Sequence, residues 1–113
     1  MKTVQHIVSM NDLIHFVYSF IPTLNTITTI TFGDAFNERI DKINWRKLEG
    51  VRVIRFGKKF NQSLDNIWWS STLTEIHLNE RHTGSIEKLI WTEGLKMLNR
   101  NAVFFTTNDN VIK

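Results

Sequence analysis

The chain has 113 residues, 42% of them hydrophobic and 12% aromatic, with no cysteine and a formal net charge of +3. That is enough to bury the core of one domain, and it excludes disulfides, iron–sulfur ligation, thiolate zinc sites and cysteine nucleophiles. No apolar run approaches the ~20 residues of a membrane span, and the N-terminus lacks a signal peptide's apolar stretch and cleavage site, so an intracellular, cytoplasmic protein is expected.

The segment 1–23 predicts an N-terminal cap. Asn11 to Phe20 fits a short helix with Asn11 or Asp12 as N-cap, Leu13, Phe16, Val17 and Phe20 on one face, and Pro22 closing it. The string Leu13 to Tyr18 also fits a strand. Beyond this segment the chain repeats itself. A shift of 24 lays Ile27, Ile30 and Phe32 on Val51, Ile54 and Phe56, and Ile40, Ile43 and Trp45 on Leu64, Ile67 and Trp69. A further shift of 22 carries these onto Leu73, Ile76, Leu78, Ile86, Leu89 and Trp91. A shift of 23 sets Val4 and Ile7 on Ile27 and Ile30 as a degenerate opening copy, and a fading copy begins at Leu95 and Leu98.

Shifts of this size, joined to an apolar-x-x-apolar-x-apolar core, predict a β-rich (β or α/β) solenoid of leucine-rich-repeat type. Each β-branched segment around Ile30 or Ile54 reads as a short strand ending at Gly33 or Gly57, and stacked copies would align these strands into a short parallel sheet. The expected layout is one repeat domain over 1–113: a cap at 1–23, coils at 24–47, 48–69 and 70–91, and a degenerate coil and tail at 92–113.

The pattern Ile27-x-x-Ile30-x-Phe32-Gly33-x-x-Phe36-Asn37, repeated as Val51-x-x-Ile54-x-Phe56-Gly57-x-x-Phe60-Asn61, resembles the FNIP repeat. This is a leucine-rich-like repeat found in tandem in amoebal proteins and in giant DNA viruses of amoebae. A third copy matches by its apolar skeleton, with His82 and Thr83 in the Phe and Asn columns. The family's Ile-Pro after Phe-Asn is replaced by Glu38-Arg39 and Gln62-Ser63. Longer members carry an F-box, and the segment Asn11 to Pro22 has the length of only one helix of that module. The resemblance implies a binding module and names no partner.

Residues repeated at the period are read as structure. Phe36 and Phe60 form an aromatic spine, Asn37 and Asn61 a buried amide ladder, and Trp45, Trp69 and Trp91 the wall opposite the sheet. Trp68 shares its column with Asn44 and Ile90 and is the better candidate for an exposed contact. Glu75, His77, Glu80 and His82 are the one cluster resembling a metal or acid–base site, but they lack ligand spacing on a helix and an anchored third ligand. No catalytic, metal or cofactor residue is assigned.

Residues that change from copy to copy are read as surface. Thr29, Thr31, Val53, Arg55, Glu75, His77, Met97 and Asn99 are expected to point outward from the strands, bordered by Arg52 and Lys58. From Arg39 to Lys59 there are eight Lys or Arg against two acids. The function expected is a non-enzymatic interaction module that offers this face to a protein partner, as a monomer or with end-to-end self-association. The alternatives are electrostatic nucleic-acid binding through Arg39 to Lys59, or a remnant repeat fragment with no separate function.

Overall fold

The structure, a computed structural model, describes residues 2–99 and the backbone of 102–106. It is a small α/β domain: a parallel sheet whose strands follow one another in sequence order, with one N-terminal helix. The five parallel strands are β1 (Val4–Ile7), β2 (Thr29–Phe32), β3 (Val53–Arg55), β4 (Glu75–Leu78) and β5 (Lys96–Asn99), and β6 (Ala102–Thr106) pairs antiparallel with β5. Among the described residues no helix is long and apolar enough to cross a membrane.

Register fixes which side chains share a column. Thr29 pairs with Val53, Val53 with Glu75 and Glu75 with Lys96, so the offset between successive strands falls from 24 to 22 to 21. Because strand side chains alternate between faces, Ile30, Ile54, Ile76 and Met97 fall in one inward column, and each is no more than 1% exposed. The first two offsets match those expected from the sequence. The third is shorter by one, and since a slip of one residue swaps the faces, Met97 points into the core instead of outward. Asn99 pairs with Leu78, in the inward column, and Lys96 and Leu98 take the positions expected for Met97 and Asn99. The opening copy is also displaced: Val4 pairs with Thr29 and Ile7 with Phe32, an offset of 25 rather than 23.

Helix α1 (Met10–Ser19) begins earlier than expected. Its N-cap is Ser9, whose Oγ accepts from the Asp12 N–H at 3.1 Å, while Asp12 Oδ2 accepts from the Val8 N–H at 3.0 Å. Asn11 and Asp12 are therefore inside the helix, with Asp12 closing a reciprocal cap. The predicted face holds, with Leu13, Phe16, Val17 and Phe20 all buried. At the other end Lys47 Nζ donates to the carbonyls of Val17 and Tyr18 at 2.6 and 2.7 Å. The Val17 carbonyl also accepts from the Phe20 N–H at 3.3 Å, so the cation adds to the cap and favours the negative end of the helix.

The core lies between the sheet and the returning loops. Phe32 stacks on Phe56 at 4.9 Å, Phe56 on Phe60 at 4.0 Å, and Phe36 on Phe60 at 6.3 Å between ring centroids. His82 continues this column, nearly parallel to Phe60 at 5.8 Å, with Nε2 2.8 Å from the Gln62 carbonyl oxygen. Trp45 and Trp69 are buried and tilted against each other at 5.3 Å, and Trp91 packs half-buried on the same core. Trp45 Nε1 donates to the Ile40 carbonyl at 2.8 Å, whereas Trp69 Nε1 is buried without a partner among the described residues.

The asparagine ladder exists but on the surface. Asn37 Oδ1 accepts from the Asn61 N–H at 2.8 Å, and Asn61 Oδ1 accepts from the N–H groups of Thr83 and Gly84. Asn37, Asn61 and Thr83 are all exposed, so water competes for these groups and the ladder is not the buried one expected.

Candidate functional site

Beyond the C-terminal ends of β3, β4 and β5 the chain forms an open cleft of about 750 Å³. Its walls carry Arg55, Lys58, Lys59 and Arg81, with His77 and Glu80 between them, and its floor reaches Phe56, Leu78 and Asn99. Ends of parallel strands are where loops from neighbouring units converge, so short local segments bring four cations together. Among the described residues none of the four is ion-paired to a carboxylate. Gathered in one cleft, such charges reinforce one another and attract an anionic group.

One network holds the cleft's edge in place. His77 Nε2 lies 2.8 Å from Glu75 Oε1, and His77 Nδ1 lies 3.4 Å from Arg55 Nη1. A guanidinium only donates, so Nδ1 accepts from it and the ring proton sits on Nε2, facing Glu75. The imidazole is only 9% exposed and both its nitrogens are engaged, which makes it a strut between Glu75 and Arg55. This geometry aims the guanidinium rather than offering a base.

The predicted site residues separate into groups. Arg55, Lys58, His77 and Asn99 line the cleft, and Glu75 touches it through His77. Thr31 is registered beside Arg55, and Thr29 and Val53 with Glu75, so these form the half-buried outer face of the sheet leading up to it. Arg52 is exposed but outside the cleft, and Met97 is fully buried. The cluster of Glu75, His77, Glu80 and His82 does not form a unit, because His82 is drawn into the Phe60 stack. Among the described residues no three His, Asp or Glu converge as a metal site.

The basic run from Arg39 to Lys59 is likewise not one surface. Arg39 is paired with Asp41, Nη2 to Oδ2 at 2.7 Å and Nε to Oδ1 at 3.2 Å, and the hydrogen bond from Arg39 holds the Asp41 carboxyl below the usual carboxylate range. Lys47 is bound to the helix carbonyls, and Arg46 lies with Cζ 5.9 Å from the Trp68 ring centroid. Only Arg55, Lys58 and Lys59 of that run reach the cleft, joined by Arg81 from outside it. From the sequence, Lys59 is named only as the end of the basic run and Arg81 is not named, although the shift of 22 places one directly on the other.

Comparison of the chain with protein-family models, with curated proteins and with solved structures finds no match.

Proposed function

We propose that this chain is a non-enzymatic, repeat-built interaction module, a short solenoid of the FNIP and leucine-rich-repeat-like kind, that takes an acidic segment of a protein partner into the cleft. The solenoid reading is supported by strands in sequence order at nearly regular offsets, and by Phe, Trp and Asn columns that stack in step with them. In such an array the stacked columns make the fold and the residues between them make the contacts. The observation that carries the binding reading is the convergence of Arg55, Lys58, Lys59 and Arg81 on one open cleft, with no carboxylate partner for them among the described residues.

Nucleic-acid binding through Arg39 to Lys59 is the weaker reading, because Arg39 and Lys47 are committed within the fold. The test is side-by-side capture, after nuclease treatment, on the wild-type chain and on an Arg55→Glu, Arg81→Glu variant with an unchanged circular dichroism spectrum. A protein retained by the wild type and lost from the variant supports the proposal. Equal retention by both, or tight DNA or RNA binding that falls steeply as salt rises, defeats it.

A further inference from the structure

At the opposite, N-terminal ends of the same strands lies a second concavity of about 460 Å³, whose lining includes Arg46, Glu49, Trp68, Trp69, Trp91 and Glu93. Trp68 is 64% exposed, and the residues at its place in the neighbouring units, Asn44 and Ile90, are not aromatic. An indole that the fold neither buries nor repeats presents a large apolar face to solvent at a cost in solubility.

The rim around this face is ordered by the fold. Gly50 donates its N–H to Thr72 Oγ1 at 3.0 Å, which sets residues 50 and 72 side by side, and Gly50 and Gly94 both turn the chain at positive φ. Glu49, Ser71 and Glu93, each one residue earlier, line the groove from three successive units and bring two carboxylates and a hydroxyl to it. Arg46 supplies donors beside Trp68, with Cζ 5.9 Å from the ring centroid.

From this arrangement we infer that the groove binds a neutral saccharide, one pyranose ring stacking its C–H face on Trp68 while its hydroxyls donate to Glu49 and Glu93 and accept from Arg46. The chemistry discriminates among ligands that stack on tryptophan. Two carboxylates against one guanidinium repel phosphate, which disfavours a nucleotide. A proline-rich segment stacks equally well, but proline has no N–H and the extended helix offers mainly carbonyl acceptors. It would leave both carboxylates without donors. A sugar ring supplies donors and acceptors around an apolar face, which is the combination the groove presents.

The test is NMR titration of the folded chain, following the tryptophan indole N–H signals, with three probes: β-1,4-linked glucose and N-acetylglucosamine hexasaccharides and an α-linked mannose oligosaccharide. At least one is expected to give a saturable shift of the Trp68 signal. Trp68→Ala, at an exposed position, should lower that affinity about tenfold or more, the effect of losing one aromatic stack. Glu93→Gln should weaken it as well, and Arg55→Glu, in the other cleft, should not change it. The inference fails if no saccharide saturates, if binding survives Trp68→Ala, or if a decaproline peptide binds where the saccharides do not. Because Arg55→Glu affects only the basic cleft, this result is independent of the fate of the proposed protein-binding function.

Discussion

Replacing Gly57 by alanine should be far more damaging than the same change at Gly33, its counterpart one unit earlier. A Cβ at Gly57 would sit 2.5 Å from the Gly33 carbonyl oxygen and 2.7 Å from Asp34 Cα, where ordinary contact begins near 3.4 Å. Both obstacles are backbone, so the two units must move apart by about 1 Å rather than a side chain rotating away. That movement pulls on the Lys59 N–H bond to the Asp34 carbonyl, 2.9 Å, and on the Lys58 N–H bond to Asp34 Oδ1, 3.2 Å. Overpacking of this kind costs about 1–3 kcal/mol, and weakening the two hydrogen bonds adds about 1 kcal/mol. Restricting the unfolded chain returns about 0.4–1 kcal/mol. A net loss of about 1–3.5 kcal/mol is expected. At Gly33 the nearest atom is Val8 Cγ1 at 3.3 Å, the end of an exposed side chain that can turn aside, so the loss should stay below about 1 kcal/mol. Urea unfolding followed by tryptophan fluorescence, with the midpoints compared at unchanged slope, measures both. Equal midpoints for the two variants would refute the claim that close stacking of the units, rather than turn geometry, requires Gly57.

Asn61→Ala removes the acceptor of the Thr83 and Gly84 N–H groups, but at an exposed site water replaces it, so about 0.5–1.5 kcal/mol should be lost by thermal unfolding; a loss above about 3 kcal/mol would mean that the ladder is drier than its exposure indicates. Trp45→Phe and Trp69→Phe remove the same volume, yet the first deletes the bond to the Ile40 carbonyl, which keeps only the Ile43 N–H at 3.3 Å, and the second removes an unpartnered N–H. Trp45→Phe should therefore be the more destabilising by about 0.5–1.5 kcal/mol in the same unfolding assay, and equal losses would contradict the hydrogen-bond assignment. Lys47→Met keeps the stem but deletes the bonds to the Val17 and Tyr18 carbonyls, costing about 1–2 kcal/mol. Hydrogen exchange should show α1 opening more readily in that variant, and unchanged protection there would count against the tie.

Apolar columns were legible in the sequence because stacking constrains them; the connections between them were not. The separation from Thr29 to Trp45 recurs unchanged from Val53 to Trp69 and from Glu75 to Trp91, whereas the stretch from each tryptophan to the next strand shortens at every unit. Strand, spine and tryptophan must meet their counterparts in the next unit, so spacing within that half cannot vary without opening the core. The other half is free to change, and its last shortening slipped β5 by one position, exchanging Met97 for Leu98. Repetition likewise identified Asn37 and Asn61 as partners of neighbouring backbone but said nothing of their depth, because an amide makes the same bonds at the surface as in the interior. Charge was the least legible quantity. Arg39 and Lys47 read as free cations in a line of sequence, while Arg81 stood apart and yet joins Lys59 in space.

The longer connection after Trp45 does two things that the shorter ones do not. The chain from Trp45 to Val53 is longer than that from Trp69 to Glu75, which gives room for a 3-10 turn at Trp45–Lys47. A tight turn of this kind sends successive side chains in different directions. Arg46 leans over Trp68 and Lys47 reaches back to α1, so one short insertion both ties the helix to the sheet and builds one wall of the aromatic groove. Deleting Arg46 and Lys47 together should therefore loosen α1 and abolish the inferred saccharide binding while leaving the Arg55 cleft competent for the proposed acidic partner. Loss of all three at once would mean that the two ends of the strands are not independent. In that case the columns, and not the insertions, would be setting both sites.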